Sequence, residues 1–283
     1  MSVGEAVVQW LCRPNIPLFD QPLGSFRLHP DVLAGVFMLI GAYLVAYAAL
    51  RRRSGAVPER RHTVYLVLAV LCLLIAEVSP LHDLAEGYLF SAHMVQHMFL
   101  VYLMPPFLLM SIPPGMLQPL FRRKAALVIG RVLTHPVVGI IAGNAAYALW
   151  HLPELYQAAL YLHSVHVFEH ILMVGTAIMM WWPVFSPSED LPRLPDVGRI
   201  IYLLLMSLPQ VGVFAYVTFS PKVVYGFYAS APRLWGLSPE VDQILSGIIM
   251  KLSMSIIVVI VLAHVFFKWA SREEASDPRV AAR

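Results

Sequence analysis

The chain has 283 residues, of which 59% are hydrophobic and only 13% are charged, with a formal net charge of +3. A soluble domain carries about a quarter charged residues, so this sequence has too few charges to coat a water-exposed surface. The composition excludes a typical soluble domain, a disordered chain and a nucleic-acid-binding protein, and it indicates a protein whose solvent is the lipid bilayer.

Seven apolar segments are predicted to be transmembrane helices, because about 20 residues are enough to cross a hydrocarbon core of about 30 Å. Backbone groups in lipid must be paired within a segment, which favours helices over open sheet. The segments are roughly 31–50, 63–80, 88–112, 133–151, 160–183, 199–219 and 241–267. The predicted fold is therefore that of an all-α membrane protein. A seven-helix transmembrane domain covers residues 31–267, an N-terminal segment covers 1–30, and a C-terminal tail covers 268–283.

Basic residues are distributed unequally between the two ends of this predicted bundle. Fifteen of the twenty lysines and arginines lie in the connections 51–62, 113–131 and 184–199 and in the tail that begins at Lys268. By the positive-inside rule these segments face the cytoplasm. The sequence therefore predicts an extracytoplasmic N-terminus and a cytoplasmic C-terminus.

Eleven histidines are many for a chain so poor in polar residues, and eight of them fall near the predicted outer ends of the helices. His93 and His97 in the third span are spaced i, i+4, as are His166 and His170 in the fifth. Residues at this spacing project from one face of a helix. Each pair therefore has the geometry with which two imidazoles bind one ion.

Further donor groups at a similar depth favour copper as that ion. His151 ends the fourth span on the same side, and His163 lies one turn before the second pair. Met94 and Met98 lie beside the first pair, and Met250 comes from the seventh span. Imidazole suits several transition metals, whereas thioether sulfur suits Cu(I). The sequence predicts a copper ion as the bound metal.

Other chemistry stays open at this level. His166, Glu169 and His170 form an H-x-x-E-H pattern, which is also the zinc-binding signature of one class of metalloprotease with the glutamate as general base. Glu169 serves equally well as a partner that orients a histidine. Haem is a further alternative, because paired histidines on facing helices ligate iron axially, and a metal transporter is another.

Two charged residues within the spans need partners. Glu77 lies near the outer end of the second helix, and Lys251 lies about ten residues, roughly 15 Å, into the seventh. Charged side chains in lipid usually face the bundle interior. Lys251 is therefore expected either to pair with Glu77 or Glu169, or to lie against backbone carbonyls, and the sequence favours neither.

In combination these motifs resemble the multi-pass CtaG-type cytochrome c oxidase assembly factors. The resemblance covers about residues 30–267 and is carried by four runs, SAHMVQHMFLVYLMPPFLL (91–109), ALWHLPELYQAAL (148–160), HVFEHILMVGTAIMMWWPV (166–184) and VDQILSGIIM (241–250). The matched positions are His93, His97, His151, His166, His170, Asp242, Gln243 and Met250. The chain departs from the family pattern at Lys251, where an aromatic residue often follows the matched methionine.

The resemblance implies a protein of the bacterial plasma membrane that helps to assemble a haem–copper oxidase by binding copper on the extracytoplasmic side and delivering it. Its partners are then cytochrome c oxidase subunits and the lipid bilayer, not nucleic acid. No reaction on a substrate is required, so the expected role is that of a metallochaperone rather than an enzyme. The sequence is compatible with a monomer or a homodimer.

Overall fold

The computed structural model describes residues 30–55 and 59–276, and 81% of these residues are helical. The predicted N-terminal segment and the end of the predicted tail lie outside the described residues. In chain order the helices are α1 (Pro30–Ser54), α2 (Arg60–Glu77), α3 (Pro80–Gly87), α4 (Phe90–His97), a π-helical segment (Met98–Leu103), α5 (Met104–Ser111), α6 (Gln118–Phe121), α7 (Lys124–Leu133), α8 (Pro136–Trp150), α9 (Pro153–Tyr161), α10 (His163–Phe185), α11 (Asp196–Ser207), α12 (Gln210–Phe219), α13 (Gly226–Ser230) and α14 (Pro239–Ser276).

The described helices are consistent with five to seven membrane spans. Five are long and apolar enough to cross a bilayer, and the number rises to seven if two bent pairs each form one span. These pairs are α2 with α3, bent by 43°, and α7 with α8, bent by 63°. Proline opens both α3 and α8, where its missing N–H is tolerated but a continuous helix is interrupted. The all-helical membrane fold is confirmed, and the predicted count of seven is the upper value.

Helix α14 shows how the bundle separates its interior from lipid. Asp242, Ser246 and Met250 are buried at a spacing of four residues, whereas Leu252 and Val259 on other faces are 56% and 60% exposed. Apolar side chains exposed along a whole helix are unfavourable in water and favourable in lipid. The helix also continues beyond residue 267, where the predicted span ends, to Ser276.

A glycine sets the distance between α12 and α14. A Cβ atom on Gly247 would lie 1.9 Å from Thr218 Oγ1 and 3.1 Å from Thr218 Cβ. A side chain there would force Thr218 or the two helices to shift, because atoms cannot approach so closely. Small residues allow such close packing of helices in membranes, and here the packing keeps the polar stripe of α14 against the bundle.

The π-helical segment separates the histidine-bearing α4 from a pair of prolines. Pro105 and Pro106 lack the N–H groups that would bond the carbonyls of Val101 and Tyr102 one turn earlier. Trp181 Nε1 of α10 donates to the Val101 carbonyl at 3.0 Å and so satisfies one of them. The wider turn thus accommodates the prolines and ties the third span to α10, which carries the second histidine pair.

Candidate metal centre

A buried carboxylate of α14 fixes the start of α4. The Asp242 oxygens accept hydrogen bonds from the backbone N–H groups of Phe90 at 2.8 Å and Ser91 at 3.1 Å. These are among the N–H groups that a helix N-terminus leaves without internal partners, and a negative charge is favourable there. The contact sets the position of His93, one turn further along. The neighbouring Gln243 accepts a hydrogen bond from Val224 N at 2.7 Å and so holds the loop before α13.

Replacing Asp242 by alanine is expected to lower the stability of the protein by about 1–2 kcal/mol, because it removes a helix cap. Asp242→Asn keeps an oxygen acceptor and should cost less. The midpoint of thermal unfolding in detergent measures the effect. Glu240→Ala, which removes an exposed carboxylate from the same helix start, is the control, and an equal midpoint for Asp242→Ala and Glu240→Ala would contradict a capping role.

The first histidine pair converges with a carboxylate of α10. His93 and His97 are buried, and their Nε2 atoms lie 2.6 Å apart. Glu169 Oε1 lies 3.9 Å from His97 Nε2. One ligand atom from each of the three residues lies within 4.8 Å of the other two. Metal–ligand bonds of about 2 Å place donor atoms roughly 3 Å apart, so small adjustments of these side chains would enclose one ion.

The second histidine pair faces the first. The Nε2 atoms of His166 and His170 lie 2.9 Å apart. The His170 ring packs edge-on against His97, with 5.6 Å between ring centroids. Helices α4 and α10 therefore bring the two predicted pairs into one group. We call His93, His97, His166, His170 and Glu169 the histidine cluster.

Two more glutamates lie behind the imidazoles of the cluster. Glu77, at the end of α2, places Oε1 2.9 Å from His170 Nδ1. Glu86, on α3, places its two oxygens 3.2 Å from His166 Nδ1 and 3.6 Å from His93 Nδ1. In metal sites a carboxylate in this position orients the ring and makes its other nitrogen a stronger ligand.

These contacts assign the proton of each neutral ring in the second pair. An ionised carboxylate only accepts, so the contacts with Glu77 and Glu86 place the hydrogen on Nδ1 of His170 and His166. Each Nε2 then carries a lone pair, and the two lone pairs face each other across 2.9 Å. The arrangement is repulsive unless positive charge, from a proton or a metal ion, lies between them.

His151 and Met250 form a smaller group beside the cluster. His151 Nδ1 donates to the Tyr147 carbonyl at 2.7 Å, so the Nε2 lone pair of the neutral ring faces the Met250 sulfur at 3.2 Å. The Tyr147 hydroxyl donates to the same sulfur at 3.1 Å. The ring of Tyr156 contacts both His93 and His151, with centroid distances of 5.1 and 6.5 Å. A nitrogen and a sulfur donor therefore lie one aromatic ring away from the cluster.

The structure also places the remaining predicted site residues. Met94 and Met98 pack in the hydrophobic core of the bundle, whereas the sulfur of Met250 lies within hydrogen-bond distance of the His151 imidazole. His163 is buried at the start of α10. Lys251 is half-buried on α14 and, in the part of the chain that the structure describes, forms no ion pair with a glutamate.

Glu86 is not predicted from the sequence, because residues 81–87 fall in the predicted connection between two spans. The structure forms α3 there, and the Ser79 side chain accepts a hydrogen bond from Leu81 N at its start. A serine followed by Pro80 is a helix-start signal. Once this signal predicts a helix, the i, i+4 spacing of His82 and Glu86 places the two side chains on one helix face. Glu86 would then have been recognised as a neighbour of a histidine.

Sequence reasoning also missed Tyr156, which carries no metal-ligand signal of its own. Its hydroxyl lies 3.2 Å from that of Tyr228, which in turn donates to the Ala85 carbonyl at 2.7 Å. Burial raises the pKa of both tyrosines well above the usual range, so both stay neutral. This pair of hydroxyls holds α9 and α13 against α3, beside Glu86.

The charges of the site fit a bound metal ion. Glu77, Glu86 and Glu169 are 6%, 8% and 0% exposed, and neither oxygen of Glu169 has a hydrogen-bond donor among the described residues. A carboxyl group buried in an interior of low dielectric constant either takes up a proton or needs compensating positive charge, which a bound metal ion would supply. Imidazole nitrogens with carboxylate oxygens form a donor set suited to a transition metal.

A comparison with protein families gave one match over most of the chain. The sequence profile of a family described as "cytochrome c oxidase caa3 assembly factor" (Caa3_CtaG) matches residues 41–272. This range includes the histidine cluster, both supporting glutamates and the pair of His151 and Met250.

Curated relatives extend the match to mycobacteria. The uncharacterized proteins Mb0105 of Mycobacterium bovis and MT0111 of Mycobacterium tuberculosis are each 29% identical over 290 residues, covering 95% of this chain and 42% of the relative. The uncharacterized protein ML1998 of Mycobacterium leprae is 26% identical over 290 residues, with the same coverage of both chains. The chain therefore spans less than half the length of these relatives. No solved structure matches it significantly.

Proposed function

Because the chain belongs to the family of cytochrome c oxidase caa3 assembly factors, we propose that it supports oxidase assembly by binding copper in the histidine cluster and delivering it to the oxidase. The oxidase subunits are then its partners within the membrane. Copper is cargo in this proposal, and the protein needs no catalytic residue. The bacterial relatives fit a location in the plasma membrane.

The facing lone pairs of His166 and His170 carry the proposal. The ring of the buried His166 and that of the partly buried His170 each contact a carboxylate on the opposite side, so a positive ion at Nε2 would relieve the repulsion between them and balance the charge behind them. The contacts of His93 and His97 on the facing α4 with Glu169 of α10 support the same conclusion.

The group of His151 and Met250 favours copper over zinc. Zinc prefers nitrogen, oxygen and thiolate ligands, whereas Cu(I) also binds thioether sulfur well. The Met250 sulfur lies 3.2 Å from a nitrogen that carries a lone pair. A copper ion leaving the cluster could therefore exchange its ligands one at a time for this nitrogen and sulfur, which is what delivery to another protein requires.

We propose that the cluster opens towards the extracytoplasmic side of a seven-span bundle. Counting each bent pair as one span leaves the N-terminus outside and the C-terminus in the cytoplasm. The basic connections support this orientation through the positive-inside rule. The histidine cluster then lies near the surface from which extracytoplasmic copper arrives.

Metal analysis of the purified wild-type protein is the direct test. Protein in detergent is loaded with copper or zinc, passed over a desalting column and analysed by plasma mass spectrometry. We expect about one or more equivalents of copper per chain. Stoichiometric zinc that excess copper does not displace would contradict the proposal.

Glu169→Gln separates copper binding from the peptidase chemistry that the H-x-x-E-H pattern also allows. Glu169 is fully buried and its carboxylate lies within ligand distance of His93 and His97, so we expect this variant to weaken copper binding at least about 10- to 100-fold, the loss that follows from changing a supporting carboxylate alone. Competition with a chelator of known copper affinity measures the change. Glu154→Gln, on the exposed face of α9, should bind like wild type.

The same two variants also test whether the protein is a zinc-dependent peptidase. We expect no zinc-dependent hydrolysis of unstructured peptide substrates by the wild type or by Glu154→Gln. Hydrolysis by both of these proteins that Glu169→Gln abolishes would assign the glutamate to a general base and reject the metallochaperone role.

A further inference from the structure

A second polar cavity lies at the other end of the bundle from the histidine cluster. Its volume is about 610 Å³, and its walls come from α2, the end of α5, the connection after α10, and the helices α11 and α14. Phe185, at its edge, follows His170 by fifteen residues on the same helix, which corresponds to about 22 Å. The cavity is therefore separate from the candidate metal centre and does not depend on its proposed function.

The walls of this cavity are strongly basic. Arg61, Arg193, Arg199 and Lys268 reach it from four different parts of the chain, whereas Glu189 is the carboxylate that lines it. Lys268 lies within electrostatic range of the three arginines. Like charges gathered at one place repel one another, and an anion among them would turn this repulsion into attraction.

Existing ion pairs neutralise only part of this charge. Arg61 pairs with Glu59 at 2.8 Å, and Arg199 and Arg272 share the carboxylate of Asp196. Two cations for one carboxylate leave positive charge in excess at Asp196.

Three of the basic side chains that line the cavity have charge or N–H donors that the described residues do not pair. Arg193 and Lys268 form no ion pair with any other described residue. Arg199 is 5% exposed, and its Nε has no hydrogen-bond partner in the described part of the chain. A buried N–H donor without an acceptor is costly, so an acceptor brought by a ligand would stabilise Arg199.

We infer that this cavity binds a phosphate group, which an anionic phospholipid presents at this depth of the membrane and which free phosphate also carries. The planar guanidinium binds two phosphate oxygens at once, and basic pockets between transmembrane helices hold anionic headgroups. Leu109, Phe185 and Val265 add an apolar side to the cavity, against which an acyl chain packs. This side favours the phospholipid over the free ion.

The test removes the two exposed charges that have no carboxylate partner. Native mass spectrometry follows the full chain in detergent during titration with phosphatidylglycerol, and with phosphatidylcholine of the same acyl chains. The double variant Arg193→Gln and Lys268→Gln should bind phosphatidylglycerol at least about 10-fold more weakly than wild type. Arg122→Gln with Arg123→Gln removes two exposed charges outside the cavity and should bind like wild type.

Two further comparisons complete the experiment. The charge-preserving pair Arg193→Lys and Lys268→Arg should retain binding, which separates lost charge from a folding defect. Inorganic phosphate that displaces phosphatidylglycerol from the wild type would assign the site to the free ion, and failure to displace it would assign the site to the lipid. The inference would be overturned if both glutamine double variants lost phosphatidylglycerol binding to the same extent. It would also be overturned if the wild type bound phosphatidylcholine as tightly as phosphatidylglycerol.

Discussion

Copper content should fall to near background when His93 and His97 are both replaced by alanine. The variant removes two of the three residues whose ligand atoms lie within 4.8 Å of one another. Loss of a supporting residue alone weakens a metal site 10- to 100-fold, so loss of two direct ligands is expected to exceed 100-fold. The measurement is metal per chain after copper loading and desalting, together with the apparent Kd from chelator competition.

Two comparisons separate this result from a folding defect. His93→Gln with His97→Gln keeps polar side chains of similar length and should also lose copper, while its unfolding midpoint shows whether the bundle remains intact. His135→Ala with His264→Ala changes two exposed histidines outside the cluster and should retain the wild-type copper content. A cluster variant that keeps its copper would show that the ion binds elsewhere.

Cells that lack this protein are expected to lose most of their caa3-type oxidase, with activity falling at least about 10-fold. The chain belongs to the assembly-factor family, and an oxidase without its copper cannot reduce oxygen. Wild-type protein supplied from a plasmid should restore both the oxidase absorbance spectrum and the activity. If copper delivery is its role, as proposed, the His93→Ala and His97→Ala variant should restore neither.

Copper added to the growth medium tests whether delivery is the missing step. If delivery is the role, excess copper should partly restore the oxidase in cells with the cluster variant. The His135→Ala and His264→Ala variant should need no added copper. Full oxidase activity in cells with the cluster variant at low copper would separate the assembly role from the histidine cluster. Normal oxidase in cells without the protein would reject the assembly role for this chain.

The two ends of the bundle carry opposite chemistry. The cluster end gathers imidazoles with the buried carboxylates of Glu77, Glu86 and Glu169, whereas the far end gathers arginines around a cavity. The formal net charge of +3 conceals this separation. The chemistry of one end suits a cation and that of the other an anion, and the two ends lie about 20 Å apart.

Hydropathy and helical periodicity predict much of this protein directly. The apolar segments predict membrane helices because length and composition are local properties. The pairs His93 with His97 and His166 with His170 were recognisable because a spacing of four residues places two side chains on one helix face whatever the surroundings. The family resemblance added the oxidase, which no spacing could supply.

Packing decided the rest, because it joins residues that are far apart in sequence. Glu86 contacts His93 and His166 from α3, which starts at Pro80 with a bend of 43° from α2. Met250 meets His151 although 99 residues separate them. Met94 shares the local sequence of the first pair, yet it faces the hydrophobic core. Spacing along one helix fixes which side chains share a face, but neighbouring helices determine what that face meets, and so the tertiary structure alone selected the partners of each histidine.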